Sequence, residues 1–315
     1  MSEDKIKRLY NGVTNISEEI IEEAQNVRPR RKFPVWARWG AAAACVCLIV
    51  VGALVWRQPS EPLVSNSGIT VSENGVTIPP MNVTLSSKAA ADMLAFFIYQ
   101  GRCYVEYEWI YDHVDLSGEH LGTATGLIDE WTPKEGYVEF AGSVRGDFYS
   151  VKGFDPSFML CMKQEDGSIS TYICNAGITL KTGSDLYEER LHLSENYDVV
   201  QYETRVSWYN SVGEVYQLND PQSETVTAFI EALNAAKFMP TADVPLEEGE
   251  TSIYDDKEIY HLYFLMENGM TVHLRLFEGG YVSFQGLLDV CVQVPDAQFD
   301  AMVTLLSDSD SSTIL

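Results

Sequence analysis

Between Trp39 and Trp56 the chain runs for 18 residues, WGAAAACVCLIVVGALVW, without one Asp, Glu, Lys, Arg or His. No other feature restricts the fold as much. A helix of that length spans ~27 Å, close to the ~30 Å hydrocarbon core of a bilayer. Trp36, Trp39 and Trp56 flank it, where amphipathic rings settle at a membrane interface. Residues 39–56 are therefore expected to form a transmembrane helix.

The flanking charges orient it. Residues 1–38 carry 8 basic and 6 acidic side chains, and Arg28, Arg30, Arg31, Lys32 and Arg38 gather directly before the run. Residues 57–315 carry 13 basic and 40 acidic side chains, a net −27. Positive charge stays on the cytoplasmic side, so these five residues are the expected topology determinants. The N-terminus is then cytoplasmic, and the acidic bulk is extracytoplasmic, on a cell membrane spanned once. A cleaved signal peptide fits less well. The segment before the run is too long, and the run ends in Leu-Val-Trp-Arg-Gln with no small-residue cleavage site. The acidity of the outer part repels a phosphate backbone, which argues against a nucleic-acid partner.

Ahead of the basic stop, Ile6, Leu9, Tyr10 and Val13 recur at the spacing of one helical face. A second run follows, with Ser17 as N-cap, Glu18 and Glu19 in the first turn, and Ile16 stapling onto Ile21. Two short amphipathic helices are expected, too short to bury much by themselves. Ile6, Leu9, Tyr10, Val13, Ile20 and Ile21 are the residues that would dock a cytosolic protein partner, such as a sigma factor. The alternative is a stub whose apolar stripe rests on itself or on the inner leaflet.

The outer part divides by pattern. Residues 57–90 read as a linker with one hairpin at Glu73-Asn74-Gly75. Residues 91–200 alternate in short runs, suggesting a small sandwich or barrel. In RCYVEYEWIY, strict alternation puts Cys103, Val105, Tyr107 and Trp109 on one face and Tyr104, Glu106, Glu108 and Ile110 on the other. Further strands are expected at 118–128, 137–140, 146–153, 158–163 and 168–174, the last pair turning at Asp166-Gly167. Residues 201–308 read as an antiparallel sheet with two helices on one side. SWYNSVGEVYQLN is strand material, Ser223 and Asp296 cap the two helices, and a hairpin turns at Asn268-Gly269. A two-residue turn there sets Leu265 opposite Val272 and Tyr263 opposite Leu274. The tail, 309–315, is expected to fray. The fold class is α+β: one transmembrane helix, a mostly β domain, then an α+β domain.

Chemical signatures are sparse. The His residues show no zinc-ligand spacing, and there is no Walker A, G-x-S-x-G or S-x-x-K motif. No catalytic residue, metal or cofactor is assigned. Of the four outer cysteines, Cys161 and Cys174 are the candidate disulfide. Pairing Glu165 with Ser168 makes them diagonal neighbours on one face, poorly aligned for a bridge, so four buried thiols is the favoured reading. His261 and His273 fall on hairpin strands, where a structural role is expected. The acidic loop holding Glu247, Glu248, Glu250, Asp255 and Asp256 lacks calcium-ligand spacing and reads as solvated.

The segments YNGVTNISEEIIEEA, RWGAAAACVCLIVVG, HLGTATGLIDEWTPKEGYVEFAGSVRGDFYSVKG and IYHLYFLMENGMTVHLRLFEGGYVSFQGLLDVCVQVP resemble a group of uncharacterised single-pass membrane proteins of Gram-positive anaerobes. The resemblance covers most of the chain and implies topology rather than activity. The layout is also similar to that of membrane-bound anti-sigma factors. Their H-x-x-x-C-x-x-C zinc motif is absent, since residues 1–38 contain no His and no Cys. The leading expectation is a non-enzymatic, signal-anchored protein whose outer domains bind or sense a surface ligand. A purely extracytoplasmic envelope module and a cell-surface hydrolase are the alternatives.

Overall fold

The computed structural model describes residues 68–81, 94–111, 116–126, 138–308 and 310–315. The expected cytoplasmic helices, basic stop and transmembrane run lie outside the described residues. Among the described residues, no helix is long and apolar enough to cross a membrane. The chain divides into two compact units, Met1–Glu61 and Pro62–Leu315, and every described residue belongs to the second. That unit is strand-rich with few helices.

It begins with a hairpin, β1 (Thr70–Ser72) and β2 (Gly75–Ile78), turning on Glu73-Asn74 with Gly75 at φ +116°. The expected linker is thus partly strand. Val76 and Ile78 alternate with polar neighbours and are fully buried. That burial holds β2 against a third strand, β9 (Ile178–Leu180).

Between them lie β3 (Phe96–Tyr99), β4 (Arg102–Ile110), β5 (Ser117–Thr125), β6 (Arg145–Val151), β7 (Met159–Lys163) and β8 (Ile169–Ile173). They form one antiparallel sheet in the order β3-β4-β8-β7-β6-β5. The segment 140–144 ties its two edges together. Phe140 N donates to Ile98 O (2.9 Å), Ile98 N to Ala141 O (2.8 Å) and Thr125 N to Phe140 O (2.9 Å). The sheet therefore curls, barrel-like, around Phe97, Tyr104, Phe148 and Tyr172. Phe97 sits 4.6 Å from Phe148 and 5.1 Å from Tyr172, ring centre to ring centre, in tilted and edge-on geometries favoured by aromatic quadrupoles. Closure requires glycine at 142, where a Cβ would lie 2.2 Å from Phe96 O and 2.6 Å from Phe97 Cα. Within 137–140, expected as strand, Glu139 and Phe140 form a turn.

Two registers differ from expectation by one residue, for one reason. Gln164 N donates to Ser168 O and Met266 N to Met270 O, so each hairpin has a three-residue loop. Gly167 (φ +89°) and Gly269 (φ +90°) take the left-handed position that such loops place third. Asp166 and Asn268 accept from the backbone N–H two residues on (3.0 Å each), which draws the extra residue into the loop. Cys161 consequently pairs with Thr171, Leu265 with Thr271 and Tyr263 with His273. Strict alternation also fails in β4. The pairing with β8 steps from Glu106↔Tyr172 to Glu108↔Thr171, leaving Tyr107 as a bulge. Past it the faces swap: Ile110 is buried, and Trp109 is exposed beside Glu106, to which its indole N–H donates at 2.7 Å.

The rest of the chain builds an eight-stranded sheet. Its elements are β10 (Tyr197–Thr204), α1 (Arg205–Tyr209), β11 (Tyr216–Leu218), α2 (Glu224–Ala235), β12 (Phe238–Pro240), α3 (Ile253–Asp256), β13 (Glu258–Met266), β14 (Thr271–Phe277), β15 (Tyr281–Phe284), β16 (Leu287–Gln293), α4 (Asp296–Ser307) and β17 (Ser312–Ile314). The order is β12-β16-β15-β14-β13-β10-β11-β17, antiparallel throughout. Ser223 caps α2, its Oγ accepting from Val226 N at 3.4 Å. Pro295 takes the cap position of α4, with Asp296 displaced into the first turn. SWY, expected as strand, is helical in α1, because the Ser207 hydroxyl bonds forward to Glu214 and folds the segment back. The tail does not fray: β17 pairs with β11.

The helices α2 and α4 pack on each other, and both bury their apolar faces in one core with Leu262, Phe264, Val272 and Leu274. That core continues through Val76, Ile78 and Leu180 to Ile110, Met159 and Ile173 of the curled sheet. Residues 91–200 and 201–308 therefore share their interior. The β4 bulge adds a polar joint. Tyr107 OH donates to Thr271 O (2.7 Å), and Glu108 Oε2 accepts from Thr271 N (2.9 Å).

Candidate functional site

Beyond a register shift between Glu258 and Tyr260, the hairpin strands β13 and β14 alternate, and their second set of residues is largely polar. With Leu262, Phe264, Val272 and Leu274 in the core, His261, Tyr263, His273 and Arg275 fall on the opposite face. The neighbouring strand β10 adds Glu203, paired with His261. Over this face lies α1, held by Arg205, whose guanidinium donates to the carbonyls of Asp255, Asp256 and Glu258.

The side chains form one hydrogen-bonded chain. Arg275 grips Glu258 with both arms, Nη2 to Oε2 at 2.5 Å and Nε to Oε1. His261 Nε2 is 3.0 Å from the same Glu258 Oε1. Tyr263 OH donates to Glu203 Oε2 at 3.0 Å and lies 3.3 Å from His261 Nδ1. One phenolic proton thus has two acceptors when His261 carries its proton on Nε2. Ser207 Oγ completes the chain, 3.0 Å from Glu203 Oε1. Aromatic rings wall it in: Trp208 lies flat on His261 at 4.1 Å and 9°, and Arg275 stacks on Tyr254 at 4.6 Å.

Burial sets the electrostatics. Glu258 is 2% exposed; desolvation pushes its carboxyl up, and the Arg275 and His261 bonds more than reverse this, leaving it below the usual range. His273 is held down at about 3 by burial, reinforced by His261 and Arg275, so it is neutral. Its Nε2 is buried with no hydrogen-bond partner. Such an arrangement positions and holds charge. It does not activate a nucleophile, because Ser207 is separated from His261 by Glu203 and is itself committed to the Glu214 backbone at 2.8 Å.

Cys103, Cys161, Cys174 and Cys291 are all buried, and none is part of a disulfide. The candidate bridge is excluded by the register. Cys161 faces the shared core, and Cys174 packs with Tyr104 and Leu160 inside the curled sheet. Burial pushes Cys103 and Cys291 up to about 12 and raises Cys174, so thiolate is scarce at neutral pH. In the acidic loop, Glu250 pairs with Lys257 at 3.1 Å and Asp256 accepts from Thr251 N, and the described residues hold no cluster suited to a metal ion. The docking residues Ile6, Leu9, Tyr10, Val13, Ile20 and Ile21 and the topology residues Arg28, Arg30, Arg31, Lys32 and Arg38 lie outside the described residues.

Glu203, Trp208, Glu258 and Arg275 escape sequence reasoning, although the period-two polar positions of VHLRL mark the face that Arg275 occupies. Comparison with protein-family models, curated proteins and solved structures finds no match to this chain.

Proposed function

We propose that this is a non-enzymatic, signal-anchored, single-pass membrane protein: a short cytoplasmic segment, one transmembrane helix, then an extracytoplasmic binding or sensing module of strand-rich and α+β parts. The charge step carries the reading. Arg28, Arg30, Arg31, Lys32 and Arg38 directly before an uncharged 18-residue run, against Arg57 alone among residues 57–80, is the distribution that the positive-inside rule produces. The compact unit starting at Pro62, shortly after Trp56, is consistent with a tethered outer module. Its polar chain is locked between Arg205, Trp208 and Arg275, a rigid scaffold suited to presenting a surface rather than to turning over a substrate. The cytoplasmic segment then offers Ile6, Leu9, Tyr10, Val13, Ile20 and Ile21 to a partner such as a sigma factor.

Cysteine labelling tests the topology. A membrane-impermeant maleimide applied to intact cells should modify Val71→Cys, at a position 63% exposed, and spare Lys5→Cys. The reverse pattern, or equal labelling, defeats the reading. The signalling half is tested by co-purification. Changing the six docking residues to Ser in the full chain should abolish recovery of a candidate sigma factor and leave membrane insertion intact.

A further inference from the structure

On the helix-bearing face, where α4 ends beside β11 and β17, three tyrosines stand together. Tyr202, Tyr216 and Tyr260 line a cleft of ≈540 Å³ with Leu306, Ser312 and Ile314, within the usual range for small-ligand sites, ~300–1,000 Å³. The rings meet in two directions. Tyr202 and Tyr216 are nearly parallel (17°, centres 5.2 Å apart), and Tyr260 stands across Tyr202 at 71° and 6.0 Å. Hydrogen bonds set two of them: Tyr202 OH is 2.8 Å from Ser312 Oγ, and Tyr216 OH donates to Glu214 Oε2 at 3.2 Å. Among the described residues, no Lys or Arg lines the cleft. Its nearby charges are negative: Glu214 at Tyr216, and Asp308, close enough to raise the Tyr202 hydroxyl after burial has done so.

Crossed tyrosine faces with carboxylates at the rim favour positive charge. A ring face attracts a cation within ~6 Å of its centre, more strongly where the cation is desolvated. A bulky, weakly hydrated cation gains most, because it gives up little water on entering an apolar corner. The net −27 of residues 57–315 raises the local concentration of any cation. We propose that this cleft is a binding site for a small organic cation with a quaternary-ammonium head. For its biological use this rests on the binding-module reading, but it makes no appeal to topology.

Calorimetry on the full-length chain in maltoside micelles tests it, with three probes. Choline should bind at least tenfold more tightly than 3,3-dimethylbutanol, its uncharged isostere. Phosphocholine should bind more weakly than choline, because its phosphate would face Glu214 and Asp308. Tyr260→Ala and Glu214→Gln should each weaken choline binding at least threefold; Glu214 is solvent-exposed, so the second variant keeps the fold intact. Equal affinity for choline and the isostere, tighter binding of phosphocholine, or no choline binding overturns the proposal. A failed labelling experiment leaves this result standing, and absent choline binding leaves the topology standing.

Discussion

The two large sheets dispose of their faces differently. The curled sheet buries apolar material on both sides, an aromatic cluster around Phe97 within and the shared core without. The eight-stranded sheet buries an apolar face beneath α2 and α4, and on the other face holds the chain Arg275–Glu258–His261–Tyr263–Glu203–Ser207. Apolar packing is non-directional and tolerates small shifts, whereas a buried charge network works only when every member is paired. The first sheet should therefore answer to volume, and the second to charge and pH.

The sharpest contrast comes from breaking one partner. Arg275→Met leaves Glu258, 2% exposed, without its bidentate partner. Uncompensated buried charge costs about 3–5 kcal/mol. Urea denaturation should show a loss of that size, with most of it restored in the Glu258→Gln/Arg275→Met double variant. Additive losses in the double variant would show that the pair is not the unit of stability.

Acid should reach the second sheet first. His273 titrates near 3 in the folded chain against ~6.5 when unfolded, so below pH 6.5 the unfolded chain binds the extra proton. Stability falls as pH drops, by about 1.4 kcal/mol per unit until the folded value is reached. Glu258, lowered in the fold, adds loss only beneath its unfolded value near 4.5. Glu108, raised chiefly by burial, works in the opposite sense. The difference between wild type and His273→Phe cancels both carboxylates. The phenylalanine variant should show the flatter stability–pH curve between pH 6.5 and 4; parallel curves would remove His273 from the account.

On the apolar side, Gly142→Ala forces a Cβ against the Phe96 carbonyl. Overpacking of this kind costs about 1–3 kcal/mol. The loss should be independent of pH between 4 and 8, since the cluster around Phe97 carries no charge. A pH-dependent loss would break the contrast.

How much of this could be read beforehand follows the same division. The hairpin at Asn268-Gly269 and the helix capped by Ser223 were legible, because turn residues and caps write themselves locally. The hairpin registers were missed because Asp166 and Asn268 bond the backbone two residues on and enlarge the loop, which residue type alone leaves open. The Tyr107 bulge was missed because its cause is 164 residues away, at Thr271. The Glu258–Arg275 pair was missed for a similar reason: β13 itself bulges between Glu258 and Tyr260, so simple alternation misplaces Glu258. Hydrogen-bond partners distant in sequence leave no periodic trace.

That bulge also decides whether the contrast describes two sheets or one body. Tyr107 belongs to the curled sheet, yet its OH bonds Thr271 O at 2.7 Å and its ring packs 5.2 Å from Phe284, both in the eight-stranded sheet. Tyr107→Phe keeps the ring and removes the hydroxyl, leaving the half-buried Thr271 carbonyl without that donor. The direct cost is small, about 1 kcal/mol. The informative readout is cooperativity. In the wild type, amides of β7 and of β14 should exchange through one shared opening, because both sheets contribute to one core. If the joint couples them, Tyr107→Phe should let β14 amides exchange faster at pH 5 than β7 amides, separating the acid-sensitive sheet from the insensitive one. If the two stay together, the shared apolar core alone is enough to hold the sheets as one unit.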